Sequence, residues 1–155
     1  MPIKASALLL LVAILVSSCG PEIYFANETK ILNDFTFQDT VDFKVEVTDS
    51  IQHYNYYLTL SHDESYPYSN LYIYSTTTLP NGGVSRDTIE MYLARPDGKW
   101  LGDRWFGGDI KHKILFYKNK RFPMAGDYRI AWTHGLRDSI APGIKSLGLS
   151  IEKVQ

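Results

Sequence analysis

The chain has 155 residues, and its 16 basic and 17 acidic side chains give a formal net charge of −1 at pH 7. A nearly neutral chain lacks the concentrated basic surface that nucleic-acid binding requires, so we expect no nucleic-acid partner. The length suffices for one domain with a substantial core, and the single cysteine excludes an intrachain disulfide and a thiolate metal cluster.

The N-terminal segment has the three-part layout of a signal peptide. Lys4 is its only charged residue, and the apolar run from Ala5 to Val16 is shorter than the roughly 20 residues of a spanning helix. Val16-Ser17-Ser18-Cys19 resembles the lipobox of bacterial lipoproteins, in which cleavage precedes a cysteine that carries acyl chains such as palmitate. We therefore predict that residues 1–18, a signal-peptide helix, are removed and that Cys19 is lipidated.

The residues after Cys19 bear on location. More than one acyl chain anchors a protein stably, because each buried methylene contributes about 0.8 kcal/mol. Gly20 stands where aspartate is the usual inner-membrane retention signal, and Gly20-Pro21-Glu22 is not an acidic export tag. We therefore expect a lipid-anchored outer-membrane protein that faces the periplasm. Residues 19–34 show no clean hydrophobic period, which predicts a tether with one short strand near Tyr24.

From residue 35 onwards the pattern is typical of antiparallel strands. In Val41 to Val47, apolar residues alternate with charged ones at a period of two, which indicates a strand with one buried face. Similar patterns predict strands over residues 54–60, 70–79, 88–93, 110–117, 128–132 and 147–151. Pro80-Asn81-Gly82-Gly83 is a hairpin turn signal, and Tyr128 is placed for a tyrosine corner.

These seven or eight strands, without a long amphipathic helix, predict an all-β, antiparallel β-sandwich over residues 35–155. Both an Ig-like sandwich and a jelly roll stay open. Eight strands favour the jelly roll slightly, because its two sheets bury two inner faces.

A series of short, distinct motifs is spread along the predicted domain. They are Tyr66–Ile73, Thr76–Gly82, Asp87–Glu90, Asp97–Gly102, Gly108–Ile110, Arg121–Pro123, Gly126–Tyr128, Arg137–Asp138, Pro142–Ile144 and Gly148–Leu149. In this order and spacing, from about residue 41 to residue 153, they resemble the gliding motility lipoprotein GldH family of Bacteroidetes.

The resemblance implies a cell-envelope lipoprotein of the gliding machinery, which is linked to type IX secretion. Because the family also occurs in bacteria that do not glide, a more general envelope or secretion role is consistent with it. The partners it implies are other envelope, gliding or secretion proteins, and it supplies no catalytic residues.

The titratable residues do not form a recognisable catalytic or metal-binding motif. Neither a GxSxG elbow nor an HExxH pair is present, so we predict a non-catalytic protein without cofactor or metal. His62-Asp63-Glu64, together with Pro67, is predicted to be a polar loop. His112 lies on the apolar face of its strand and is predicted to be a core histidine.

The segment from Lys99 to Asp109, rich in glycine and tryptophan, is the candidate contact surface. It contains Trp100, Arg104, Trp105 and Phe106. Exposed aromatic side chains anchor protein partners as hot spots, and they also stack on sugars. We expect Trp100 to close one end of the sandwich, which leaves the Trp105-Phe106 pair as the better contact candidate. A convex apolar loop favours a protein partner, whereas a flat sheet face or open groove favours the alternative, a carbohydrate-binding module for envelope glycan.

Overall fold

The computed structural model describes residues 20–104 and 106–155. The predicted signal-peptide helix, Cys19 and Trp105 lie outside these described residues. Within them the fold is all-β, as predicted, with eleven strands. No described helix is long and apolar enough to cross a membrane.

Two antiparallel sheets contain all the long strands. Sheet I has the order β1-β11-β4-β8-β7, and sheet II has the order β3-β9-β5-β6, while β10 and β2 form a separate pair. The bounds are β1 Ile23–Lys30, β2 Phe35–Thr36, β3 Val41–Val47, β4 Tyr54–His62, β5 Asn70–Thr78, β6 Val84–Tyr92, β7 Asp103–Arg104, β8 Ile110–Lys120, β9 Gly126–His134, β10 Ile140–Ala141 and β11 Ile144–Lys153.

The strand order is that of a jelly roll. Three of the described strands have only two residues, and the other eight have seven to eleven. The long strands of sheet I are β1, β11, β4 and β8, which are the first, eighth, third and sixth long strands of the chain. Those of sheet II are β3, β9, β5 and β6, which are the second, seventh, fourth and fifth. Consecutive long strands therefore largely alternate between the two sheets.

The apolar core lies between the two sheets. The alternation predicted for β3 appears as strictly alternating buried and exposed residues from Val41 to Val47. Trp132 of sheet II is fully buried, packs edge-on against Phe116 of sheet I with 5.9 Å between ring centroids, and donates its Nε1–H to Ser75 Oγ at 3.0 Å. Buried aromatic rings thus join the sheets, and the one indole N–H in this layer has a partner.

The tyrosine corner predicted at Tyr128 is present. The Tyr128 hydroxyl donates to the carbonyl oxygen of Met124 at 2.8 Å and accepts from the Met124 N–H at 3.2 Å. These two bonds fix the turn that leads into β9, next to Gly126 at φ 127°.

The sheet begins before the domain boundary predicted at residue 35. The short strand predicted near Tyr24 is present as β1, Ile23–Lys30, and it pairs antiparallel with β11. The half-buried rings of Tyr24 and Phe25 pack against the core, and the Tyr24 hydroxyl donates to the Glu46 carbonyl oxygen at 2.8 Å. The described part of the tether that precedes the first strand is therefore limited to residues 20–22.

Candidate functional site

The candidate contact segment lies between β6 and β8 and is held by a tight turn. The Arg95 N–H donates to the Lys99 carbonyl oxygen at 2.8 Å, and the Gly98 N–H donates to the Arg95 carbonyl oxygen at 2.9 Å. Gly98 has φ 84°, a conformation that favours glycine. The Asp97-Gly98 turn signal in the sequence corresponds to this turn.

Trp100 follows the turn and lies partly in the core. It forms a β-bridge with Ala94, and its half-buried ring packs edge-on against His62 with 4.5 Å between ring centroids. The ring therefore covers a buried residue, which limits the ring surface that an external partner can contact.

The histidine beneath Trp100 contradicts the sequence prediction of a polar loop. His62 is the last residue of β4 and is fully buried. It continues the inward series of Tyr54, Tyr56, Leu58 and Leu60, and this unbroken period of two was the signal in the sequence. The polar residues that follow His62 are typical of a loop, which is why the prediction for His62 was wrong.

His62 forms a buried pair with His112, which is buried on the apolar face of β8 as predicted. The two Nε2 atoms are 3.1 Å apart, and the rings stack at 15°. His62 Nδ1–H donates to the Asp63 carbonyl oxygen at 2.8 Å. His62 Nε2 is then the acceptor and His112 Nε2–H the donor of the bond between the rings.

Burial keeps the pair neutral at neutral pH. Burial lowers the pKa of His62, and burial together with the neighbouring His62 lowers the pKa of His112 to about 4. Gly102 passes over the pair so closely that a Cβ there would lie 2.8 Å from the His112 ring and 2.5 Å from the Lys111 carbonyl oxygen. The Trp100-Leu101-Gly102 run thus seals the histidines.

A metal site is a chemical possibility wherever two histidine nitrogens approach each other. Among residues 20–104 and 106–155, however, no group of three or more His, Cys, Asp or Glu side chains could hold a metal ion. Two nitrogens alone do not complete the coordination that zinc and similar ions take in proteins. The pair is therefore best described as a hydrogen-bonded core contact.

Beyond Gly102 the segment becomes an exposed tip. Asp103 and Arg104 form β7 against Ile110 and Lys111 of β8. The Phe106 side chain is fully exposed, and Trp105 beside it lies outside the described residues. The tip therefore presents at least one large apolar side chain to solvent.

The backbone of the tip is strained at Phe106. Phe106 has φ 51° and Gly107 has φ 72°, so two successive residues are left-handed. For a bulky side chain this conformation is rare and costs about 1–2 kcal/mol. Strain of this kind persists where the surroundings fix it and is most common at functional positions.

The Arg104 side chain adds two contacts that hold the tip. Its Nη1 lies 2.7 Å from Glu64 Oε1, in the loop after β4, and its Nε donates to the Gly108 carbonyl oxygen at 3.0 Å. The ion pair is partly exposed and contributes at most about 1 kcal/mol, and the bond to Gly108 closes the loop around Phe106. Sequence reasoning singled out Arg104 and missed Glu64, because the two residues are far apart in sequence.

Comparison with known proteins gives consistent matches over nearly the whole chain. A family model described as GldH lipoprotein matches residues 24–151. The gliding motility lipoprotein GldH of Flavobacterium johnsoniae is 32% identical over 148 residues, which cover 95% of this chain and 91% of the relative. A gliding motility lipoprotein GldH homolog of Christiangramia forsetii is 31% identical over 148 residues, which cover 90% of each chain.

Similarity to solved structures is weaker. A family 35 carbohydrate-binding module from Clostridium thermocellum is similar over 84% of this chain and 98% of the module, with 13% identity and a TM-score of 0.38. Dimeric latent PorU from Porphyromonas gingivalis is similar over 89% of this chain and 14% of the PorU chain, with 9% identity and a TM-score of 0.32. At these TM-scores neither likeness carries an argument about this chain.

Proposed function

This chain belongs to the GldH lipoprotein family, and from that premise we propose that it is a lipid-anchored component of the gliding motility machinery. In this proposal it is linked to type IX secretion and acts through protein contacts rather than catalysis. The support is the family match over residues 24–151 and the similarity to the gliding motility lipoprotein GldH of Flavobacterium johnsoniae.

The proposed anchor is the acylated Cys19 after removal of residues 1–18, with the protein in the outer membrane and facing the periplasm. The layout of the N-terminal segment and the residue after Cys19 support this. With β1 beginning at Ile23, only three residues lie between Cys19 and the sheet. The sandwich then lies close to the membrane surface, where it can contact other envelope proteins.

The proposed contact surface consists of Arg104, Trp105 and Phe106, with the half-buried Trp100 at the base of the segment. The observation that carries this assignment is the fully exposed Phe106 in a left-handed conformation, in a loop that the Arg104–Gly108 hydrogen bond closes and that the Arg104–Glu64 ion pair ties to the loop after β4. A loop whose backbone is already closed loses less conformational entropy when a partner covers its aromatic side chain, which favours a protein hot spot.

A non-catalytic role is supported by the environment of the best acid–base candidates. His62 and His112 hydrogen-bond to each other beneath Trp100. A catalytic group must reach the reacting atoms of a substrate, and the fully buried His62 does not.

The test is crosslinking of the native lipoprotein in its own cells, followed by purification and mass spectrometry of the crosslinked species. The proposal predicts recovery of motility or secretion proteins of the envelope. Recovery of glycan without any protein partner would reject it.

Binding of envelope glycan is a second candidate, favoured by the outer face of sheet II. Tyr74 and Tyr92 are 52% and 65% exposed on that face, and Tyr72 donates its hydroxyl to Glu90 at 2.7 Å between them. Tyrosines on a flat sheet face can stack on sugar rings. Binding of purified envelope polysaccharide that is lost in Tyr74→Ala and Tyr92→Ala, and kept in Phe106→Ala, would favour this candidate over the first.

A further inference from the structure

The inner face of the β5–β6 hairpin changes character halfway along its length. Near Leu71, Ile73, Ile89 and Met91 it carries large buried apolar side chains. Farther on, the inward positions are the cross-strand pairs Ser75–Asp87 and Thr77–Ser85. These small polar side chains do not fill the space between the sheets, and a cleft of about 360 Å³ lies beneath them, within the usual range of about 300–1,000 Å³ for ligand sites.

The floor of this cleft is aromatic, but its rings are engaged with one another. Tyr56 packs against Phe116, Tyr117 and Phe122 with ring centroids 5.4–6.1 Å apart, and Lys120 Nζ lies 4.6 Å over the centre of the Tyr117 ring. Sugar recognition needs an open ring face for stacking, which these contacts reduce. The cleft suits one large apolar side chain that fills it from the side.

The strand that borders the cleft has an open edge. β6 is the last strand of sheet II. The Leu79 N–H donates to the Gly83 carbonyl oxygen and the Leu93 N–H to the Ser69 carbonyl oxygen. In an antiparallel ladder, hydrogen-bonded residue pairs alternate with pairs that are not hydrogen-bonded. The odd-numbered residues of β6 therefore form backbone hydrogen bonds with β5. The even-numbered residues Arg86, Thr88 and Glu90 direct their N–H and C=O groups away from the sheet. An open row of this kind pairs with an added strand.

The mouth of the cleft is predominantly basic. Lys120 and Arg121 line it opposite a single carboxylate, Asp87. Burial, followed by the nearby Asp87, raises the pKa of the Tyr117 hydroxyl to about 12, so Tyr117 stays neutral beside that carboxylate. The remaining positive charge favours an acidic ligand.

From these features we infer that the β6 edge and the cleft bind an extended acidic segment of a partner protein. The segment adds as a strand along Arg86 to Glu90 and inserts one large apolar side chain into the cleft. This inference rests on the proposed function, because it supposes that the protein acts through protein contacts. The protein would then have two contact surfaces: the tip, near the Ile110 end of β8, and the cleft, near the Lys120 end.

The test places a photo-crosslinking phenylalanine analogue at position 84, which is exposed at the start of the open β6 edge beside the cleft, in the full-length protein produced in its own bacterium. The expected result is a crosslink to an extended, acid-rich segment of another envelope protein. Thr88→Pro removes an outward N–H that the sheet does not use, and proline is tolerated at such edge positions. It should lower crosslink yield about tenfold, whereas Thr88→Val should leave it unchanged.

A second pair of variants keeps the test decisive if Thr88→Pro lowers the melting temperature. Lys120→Glu combined with Arg121→Glu should also lower the yield about tenfold, and Lys44→Glu, on the outer face at the opposite edge of sheet II, should not. A crosslink only to glycan or lipid, or a yield that neither set of variants changes, would overturn the inference. Absence of a crosslink while the wild-type protein still co-purifies with envelope proteins would overturn it and leave the proposed function standing. If the wild-type protein co-purifies with no protein at all, the proposed function itself fails.

Discussion

The Nε2 atoms of His62 and His112 lie 3.1 Å apart in the core, between the end of β4 and the start of β8. Both rings are buried, and Trp100 covers the first of them. A hydrogen bond between two imidazoles requires that the accepting nitrogen carry no proton. The contact therefore holds only while the accepting ring is neutral, which links the stability of this end of the sandwich to pH.

The free energy of unfolding should fall as the pH decreases from about 6.5 towards 4. In the folded state the pKa of His62 is lowered, and that of His112 is lowered to about 4, from an ordinary value of 6.5. The unfolded chain therefore binds more protons in this interval, and stability present above pH 6.5 is lost through it. Denaturant unfolding at a series of pH values measures the effect. His112→Gln should flatten the dependence and the exposed His53→Gln should not; equal slopes in all three proteins would contradict the assignment.

Gly102→Ala should destabilise the protein by about 1–3 kcal/mol. The added methyl group would lie 2.5 Å from the Lys111 carbonyl oxygen and 2.8 Å from the His112 ring, so the strand or the ring must move. Thermal unfolding followed by circular dichroism gives the change, with Gly20→Ala, which meets no atom within 4 Å, as the control. A melting temperature equal to that of the control would show that the loop does not seal the histidines.

Tyr128→Phe should lower the free energy of unfolding by about 1 kcal/mol. The substitution keeps the ring in the core and removes both hydrogen bonds between the hydroxyl and the Met124 backbone. Denaturant midpoints measure this, and Tyr74→Phe, on the exposed outer face, is the matched control. Equal losses of unfolding free energy in the two variants would mean that the hydrogen bonds of the tyrosine corner do not stabilise the fold.

Removal of residues 20–30 should destabilise the domain by at least about 3 kcal/mol. β1 pairs along β11, and its Tyr24 and Phe25 side chains pack on the core, so their loss uncovers apolar surface and an open backbone edge. A chain that begins at Ile23 is the control and should keep nearly all of the stability. If both truncated chains unfold at the same denaturant concentration, residues 23–30 act as a tether after all.

The sequence allowed prediction of a strand where one of its faces is exposed to solvent, because polar and apolar residues then alternate. Val41 to Val47 alternates without interruption and became β3 with the predicted bounds. β1 carries polar residues on most of its exposed positions, and what makes it a strand is pairing with β11, more than 100 residues away. Such a distant partner leaves little local signal, so the segment was predicted to be a tether with only one short strand near Tyr24.

The candidate site was predictable only in part, for a related reason. Exposure of Phe106 followed from its glycine-rich surroundings, but its support by Glu64 depends on a loop 40 residues away. His62 continued the alternation of β4, yet Asp63 and Glu64 beside it have the chemistry of a turn. The cleft depends on which face Ser75 and Thr77 occupy, and that becomes clear once the register with β6 is known.

The proposed contact pair, Trp105 and Phe106, is tested most directly by recovery of envelope partners in pull-downs. The variant combines Trp105→Ala with Phe106→Ala, and Ile51→Ala, which removes another highly exposed apolar side chain, is the matched control. We predict that partner recovery falls at least about tenfold in the double variant, with its melting temperature unchanged, and that the control behaves as the wild-type protein does. A large fall in melting temperature with partner recovery intact would contradict the assignment of the tip as a contact surface.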